Sequence, residues 1–161
     1  AFVRLADKNP EVQLVFTGTP GKAELQVRKE IEKSGFKERI HLKGRVSSQE
    51  MKEILDSASI MAFPSTYEGF GIPVLEAMAA GIPGVAARGT PASSLLGENS
   101  LTVKHDDDEA WSSALNKLLS DRELRNRLTL EGFKQAKKYT YQNSAQQLLE
   151  TWHQLIAIKR Q

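Results

Sequence analysis

At 161 residues and 17.9 kDa the chain is long enough to bury one sizeable core, and its 40% hydrophobic content is ordinary for a globular protein. A net charge of +2 is too weak to argue for nucleic acid, and the lack of cysteine excludes a disulfide framework and thiolate chemistry while permitting a reducing compartment. No apolar run approaches membrane-spanning length and no signal peptide opens the chain, so the expectation is one domain over residues 1–161 working in the cytoplasm.

Phe2, Val3 and Leu5 read as the tail of a helix that begins before Ala1, which suggests a fragment of a longer protein. Val12–Thr17 is a buried-type strand ending at Gly18, and Thr19-Pro20-Gly21 turns it into a helix over Ala23–Ser34 that Gly35 stops. Ile40–Leu42 is a second strand leading to Gly44-Arg45-Val46. Ser47 with Glu50 three residues on forms a capping box for a helix through Leu55. Ser59–Phe63 is a short apolar run fit for a third strand.

The stretch that follows organises the rest. Pro64 to Gly71 is turn chemistry, Pro73 suits a first helical turn, and Gly81 with Pro83 ends the helix after about two turns. Ala77, Ala79 and Ala80 let this helix lie close to a sheet. Its amino terminus offers free amides at Gly69, Phe70, Gly71 and Val74, an arrangement that suits an anion and above all a phosphate. Two carboxylates bracket it: Glu68 in the loop and Glu76 near the first turn. Each has a plain alternative as a helix cap or dipole partner. As a pair flanking a phosphate cradle they would accept hydrogen bonds from the hydroxyls of a polyol on either side, the layout of a nucleotide-sugar.

Pro83–Ala87 is a fourth strand, Ala92–Leu96 a short helix and Leu101–Val103 a fifth strand. The run Asp106-Asp107-Asp108-Glu109 lacks the alternation of a calcium loop and instead supplies negative charge to the start of a Glu109–Leu119 helix. Ser120 with Glu123 is read as a capping box opening a helix to about Tyr139, and Thr140 caps a last helix on which Leu148, Trp152, Leu155 and Ile156 share helical spacing. Alternating strands and helices predict an α/β fold with a Rossmann-like, doubly wound parallel sheet and helices on both faces. Ligands of such sheets lie beyond the carboxyl ends of the strands, where Gly18, Gly44 and Glu68 all fall.

Other motifs carry less. Gly18-Thr19-Pro20-Gly21-Lys22 fails the spacing of a phosphate loop, and Ala23 stands where a hydroxyl is needed. No GxGxxG occurs. His41, His105 and His153 are scattered without ligand spacing, so no metal and no cofactor are expected. The basic side chains Arg122, Arg125, Arg127, Lys134, Lys137 and Lys138 read either as a solvated helix face or as a contact with an anionic membrane surface.

The run Pro64-Ser65 through Glu68-Gly69-Phe70-Gly71-Ile72-Pro73-Val74-Leu75-Glu76-Ala77-Met78-Ala79-Ala80-Gly81-Ile82-Pro83 resembles the donor-site signature of retaining GT-B glycosyltransferases of the group 1 family. This family includes sucrose-phosphate synthase and many bacterial polysaccharide and lipid glycosyltransferases, and the resemblance extends over nearly the whole chain as the C-terminal half of such an enzyme. It implies that Glu68 contacts the donor sugar as the catalytic carboxylate. Gly18, Gly69, Phe70, Gly71, Ile72, Val74 and Leu75 would meet the sugar and diphosphate, while Gly44, Arg45, Val46 and Glu76 would hold the nucleoside. Arg45 is equally readable as a solvated surface residue.

The resemblance further implies a nucleoside-diphosphate sugar as substrate, a separate N-terminal domain carrying the acceptor site, and a last helix that crosses back to that domain. The cationic side chains that grip the diphosphate in relatives would lie before Ala1. Two positions depart from the pattern: Ser94 stands where relatives carry a glutamate, and Gly84 where they carry a branched apolar residue. The same architecture also serves nucleotide-sugar epimerases, and a non-catalytic nucleotide- or partner-binding module is a third reading.

Overall fold

The computed structural model describes residues 1–97 and 100–159. The elements run α1 (Phe2–Lys8), β1 (Leu14–Thr17), α2 (Glu24–Lys33), a 3-10 turn (Lys37–Arg39), β2 (Ile40–Gly44), α3 (Ser48–Ser57), β3 (Met61–Phe63), α4 (Ile72–Ala79), β4 (Gly84–Ala87), α5 (Pro91–Leu96), β5 (Leu101–Val103), α6 (Asp108–Ser120), α7 (Arg122–Ala136) and α8 (Tyr141–Lys159). All strand pairings are parallel, as expected of strands joined by helical crossovers. The pairings fall into two sheets, β1-β2 and β3-β4-β5, where the sequence reading expected one.

The core is built on β4, every residue of which is buried. Successive side chains of a strand point to opposite faces. Val85 and Ala87 accordingly pack with Val103, Trp111, Leu118, Leu124 and Leu128 on one side, while Ala86 packs with Val74, Met78, Ala92 and Leu95 on the other. Ala86 on this face, with Ala92 of α5 beside it, lets α4 and α5 lie close to the sheet. Gly84 opens the same strand. A Cβ there would lie 3.4 Å from the Met61 carbonyl oxygen and 3.5 Å from Leu96 Cδ2, ordinary contact distances, so nothing at the Cβ position demands a glycine.

The first β-α units are far less covered. Val15 and Phe16 of β1 are 41% and 43% exposed, which corrects the expectation of a buried strand; β1 has a neighbour on one side only, and neither α2 nor α3 contains a buried residue. The apolar positions of α8 are likewise open to solvent, with Trp152 at 54%. The accessible surface of 11485 Å² exceeds the roughly 8,000 Å² of a compact monomer of this mass.

Caps follow local chemistry with one correction. Ser47 and Glu50 form the anticipated box at α3, and Asp107 caps α6 by accepting from the Ala110 amide. At α7 the cap is Asp121, whose carboxylate accepts from the Leu124 amide at 2.8 Å, rather than Ser120. The Ser120 hydroxyl instead donates to the Asn116 carbonyl and closes α6. Two adjacent residues could each cap, and the carboxylate takes the position.

Arg39 fastens the sparsely buried β1-β2 unit to α1. Its guanidinium donates to the carbonyls of Val12, Ala6 and Asn9 and sits over the rings of Phe2 and Phe36. This planar fork satisfies the carbonyl end of α1, while Leu5 and Ala6 bury the helix. Arg39→Leu should therefore accelerate amide exchange in α1, β1 and β2 at least several-fold while leaving β3-β4-β5 protected. Uniform acceleration across both sheets would contradict this division.

Candidate functional site

The site grows from the turn into α4. Gly71 is the residue before the helix, with φ of 98° and ψ of 40°, a left-handed conformation costly for any side-chain-bearing residue. Pro73 occupies the first turn, where its missing N–H has no intrahelical role. No side chain caps this end. Among the described residues, no backbone hydrogen bond outside regular elements uses the amides of Gly69, Phe70, Gly71 or Ile72 as donor. These unengaged donors, at the positive end of the helix dipole, are what an anion needs.

Two expected donors are corrected. The amides of Val74 and Leu75 both donate to the Gly71 carbonyl, at 3.0 and 3.2 Å, and the Val74 side chain is buried in the core. The helix opens where the sequence suggests, but its first turn already closes on the Gly71 carbonyl, so the open donors are those of Gly69–Ile72. The glycines also divide their roles. A Cβ on Gly69 would meet nothing within 4 Å, which leaves that backbone open to a ligand, whereas one on Gly71 would lie 3.1 Å from Ala92 Cα and Cβ. Gly71 thus serves the approach of α5 to α4, not ligand access.

Glu68 is half-buried in the β3–α4 loop, and Glu76 is exposed, the fifth residue of α4 and beyond its first turn. Glu76 shares the solvent face with Ile72, Pro73, Ala79 and Ala80, while Val74, Ala77 and Met78 point inward. That placement removes the helix-dipole reading for Glu76. Among the described residues no ion pair involves either carboxylate.

The ends of β1 and β2 meet directly. The Gly18 amide donates to the Gly44 carbonyl at 2.8 Å, and both glycines have positive φ with open space where a Cβ would stand. Arg45 is exposed and Val46 half-buried just beyond. The α3 capping box pins this turn: Glu50 Oε2 accepts from the Ser47 amide and hydroxyl, both at 2.7 Å. Those bonds, the backbone one foremost, hold the Glu50 carboxyl below its ordinary range.

A wide groove of about 740 Å³ lies elsewhere, between Ser93, Ser94 and Leu96 of α5 and Glu131, Lys134 and Lys138 along and just beyond α7. It holds no member of the bracketed cradle. Ser94 stands there on the exposed side of α5, with its hydroxyl directed to the Thr90 carbonyl. No group of three or more His, Cys, Asp or Glu side chains with metal-binding placement occurs among the described residues, and no helix among them is long and apolar enough to cross a membrane.

Sequence reasoning missed two residues. Thr90 caps α5 in a box with Ser93 and fixes the helix against which Gly71 packs; the signal was present in Thr90-Pro91. Tyr139 meets Phe70 edge to face, centroids 5.5 Å apart, and nothing local announces so distant a contact.

Residues 1–135 match the family described as Glycosyl transferases group 1. A D-inositol 3-phosphate glycosyltransferase of Corynebacterium urealyticum is 38% identical over 109 residues, 66% of this chain and 26% of that protein. The MMP alpha-(1->4)-mannosyltransferase of Mycolicibacterium hassiacum is 34% identical over 98% of this chain and 39% of its own length. The chain thus spans well under half of these curated relatives. Among solved structures, sucrose-phosphate synthase from Thermosynechococcus elongatus superposes with a TM-score of 0.82 at 22% identity, over 98% of this chain and 42% of that one. The Anabaena protein HepE, solved in complex with UDP-glucose, superposes with a TM-score of 0.82 at 21% identity, over 94% of this chain and 43% of its own. These likenesses show the fold.

Two outcomes follow from the geometry. Gly71→Ala should lower unfolding free energy by about 1–3 kcal/mol through left-handed strain and crowding against Ala92, while Gly69→Ala stays within about 0.5 kcal/mol of the parent; denaturant melts distinguish them. The Glu50 carboxyl is lowered in the folded state, so its stabilisation of α3 is complete above the ordinary carboxylate range and is lost as pH falls through the lowered value. The Ser47 amide resonance should track that loss, and Glu50→Gln should abolish the pH dependence.

Proposed function

Since the chain belongs to the glycosyl transferases group 1 family, we propose that it is the donor-binding part of a retaining glycosyltransferase that moves a sugar from a nucleoside-diphosphate sugar to an acceptor. The observation that carries this reading is the α4 amino terminus. Within the family-matching segment, a left-handed glycine presents unengaged amides from Gly69 to Ile72, with a carboxylate before them and another a turn beyond.

In the proposed reaction the bond between the anomeric carbon and the diphosphate oxygen breaks, and the bonding electrons leave with the nucleoside diphosphate. The acceptor hydroxyl oxygen bonds the same carbon on the face the leaving group vacates, and its proton passes to the departing phosphate. Charge grows on phosphate oxygens as this happens. Amides already aimed at that position stabilise it without reorganising. Glu68 orients the sugar through its hydroxyls, Glu76 accepts from the ribose, and the Gly44–Val46 turn receives the base, with Gly18 beside it. Val74 and Leu75 contribute by closing and seating the helix.

The reading assigns no resident metal or cofactor. It places the acceptor and further cationic groups for the diphosphate on an N-terminal domain of the whole protein, and the enzyme in the cytoplasm, with the basic face of α7 available to an anionic membrane surface. Support for the donor class comes from HepE, solved with UDP-glucose, and from the match of its fold to this chain.

Calorimetry of this chain with UDP-glucose, GDP-mannose and ADP-glucose tests the proposal. One of the three should bind, weakly, and Glu76→Ala should reduce its affinity about ten- to hundredfold, the worth of charge-assisted hydrogen bonds. Unchanged affinity in Glu76→Ala, or no binding of any sugar nucleotide even at millimolar concentration, would count against it.

A further inference from the structure

We infer that Tyr139 is a positioning residue for the proposed donor site, acting through Phe70 on the loop that carries Glu68 and the open amides. The inference rests on the site reading given above, but its geometry is independent of the ligand.

Helix α7 lies along α4 in the opposite direction. The Thr129 hydroxyl donates to the Gly81 carbonyl at 3.0 Å, and Phe133 packs on Gly81, both at the carboxyl end of α4. Midway, Gly132 lies against Met78, where a Cβ would be in ordinary contact with Met78 Cγ at 3.4 Å. Further along, Ala136 joins the cluster around Val74 and Leu95. Continuing the same line delivers Tyr139 to the opposite end of α4, where its ring meets Phe70 at an interplanar angle of 74°. The aromatic pair thus sits at the mouth of the amide cradle.

The corner that carries Tyr139 is itself held. Its amide donates to the Ala136 carbonyl at 3.0 Å. Asn143 Nδ2 donates to the carbonyls of Lys137 and Lys138, and Thr140 Oγ1 accepts from the Asn143 amide, each at 3.1 Å. The loop on the other side of the contact is held at its ends, by the Ser65 hydroxyl donating to the Tyr67 carbonyl at 3.3 Å and by Gly71 packed against Ala92. Phe70 stands between two glycines, and among the described residues no backbone hydrogen bond outside regular elements uses the amides from Gly69 to Ile72. The ring supplies the side-chain contact between those ends, and its partner is Tyr139. An edge-to-face pair uses the ring and not the hydroxyl, so phenylalanine should replace tyrosine here. Amides that must meet a phosphate without reorganising gain from such fixation.

Two variants, Tyr139→Ala and Tyr139→Phe, are compared by amide exchange at residues 67–71 without ligand and by NMR titration with UDP. Tyr139→Ala should speed exchange in that loop and weaken UDP binding about two- to tenfold, the range such a ring pair is worth, while Tyr139→Phe matches the parent in both. Loop exchange in Tyr139→Ala equal to the parent, or Tyr139→Phe behaving like Tyr139→Ala, overturns the assignment. Should Tyr139→Ala melt well below the parent, Phe70→Leu removes the contact from its other side and must reproduce the loop's faster exchange; if it does not, the assignment fails. Absence of UDP binding in the parent defeats the proposed function but leaves the exchange comparison to decide the role of Tyr139.

Discussion

The structure depends on the close seating of one short helix. Eight residues form too few internal hydrogen bonds to persist alone, so α4 exists because its neighbours hold it. They hold it at glycines. Gly71 lets Ala92 come against its start, Met78 rests on Gly132 in ordinary contact at its middle, and Gly81 accepts the Phe133 ring at its end, 2.9 Å from where a Cβ would stand. Val74, Ala77 and Met78 supply the buried face. With three points fixed, the direction of the helix axis is fixed, and with it the direction in which its unpaired amides point. The electrostatics of the cradle are a consequence of packing.

The parts of this arrangement set by nearest neighbours were legible in the sequence. Pro73 and Gly81 bound a helix for reasons confined to their own backbones, and the Ser47–Glu50 box needs only a three-residue separation. The acidic run before α6 is another local device. What escaped was decided by residues far along the chain. Gly71 looks like an opening for a ligand until Ala92 is placed beside it, and Val74 looks like a free donor until the helix is seen to close on the Gly71 carbonyl. Arg39 gathering the carbonyls of Ala6, Asn9 and Val12, and Tyr139 reaching Phe70, leave no periodicity to read. Ser120 and Asp121 illustrate a different failure, since both are good caps and adjacent: the Asp121 carboxylate takes the α7 amide while the Ser120 hydroxyl closes α6.

The division into two sheets leaves β1 and β3 each with a hydrogen-bonded neighbour on one side only among the described residues. Helix α1 ties the two halves together: Ala1, its amino-terminal cap, packs against the cluster of Val85, Trp111 and Leu118, and the helix leads into β1 of the other sheet. The exposure of Val15 and Phe16 follows from the thin cover of β1, since neither α2 nor α3 contains a buried residue.

Glu76 shows how the same geometry separates structural from functional causes. An acid retained for helix stability belongs in the first turn, where the dipole and the unpaired amides reward it; α4 has none there. An acid retained for an ion pair needs a basic partner, and among the described residues Glu76 has none. Its neighbours on the open face are Ile72 at 58% exposure and Pro73, apolar groups that gain nothing from water. The flanking loop adds Tyr67 at 92% and Phe70 at 42%. A carboxylate set among exposed apolar side chains and away from any ion pair among the described residues is not explained by the stability of the helix. In the proposed function those groups gain their partners from a ligand with hydroxyls, a flat ring and a phosphate laid across the helix start.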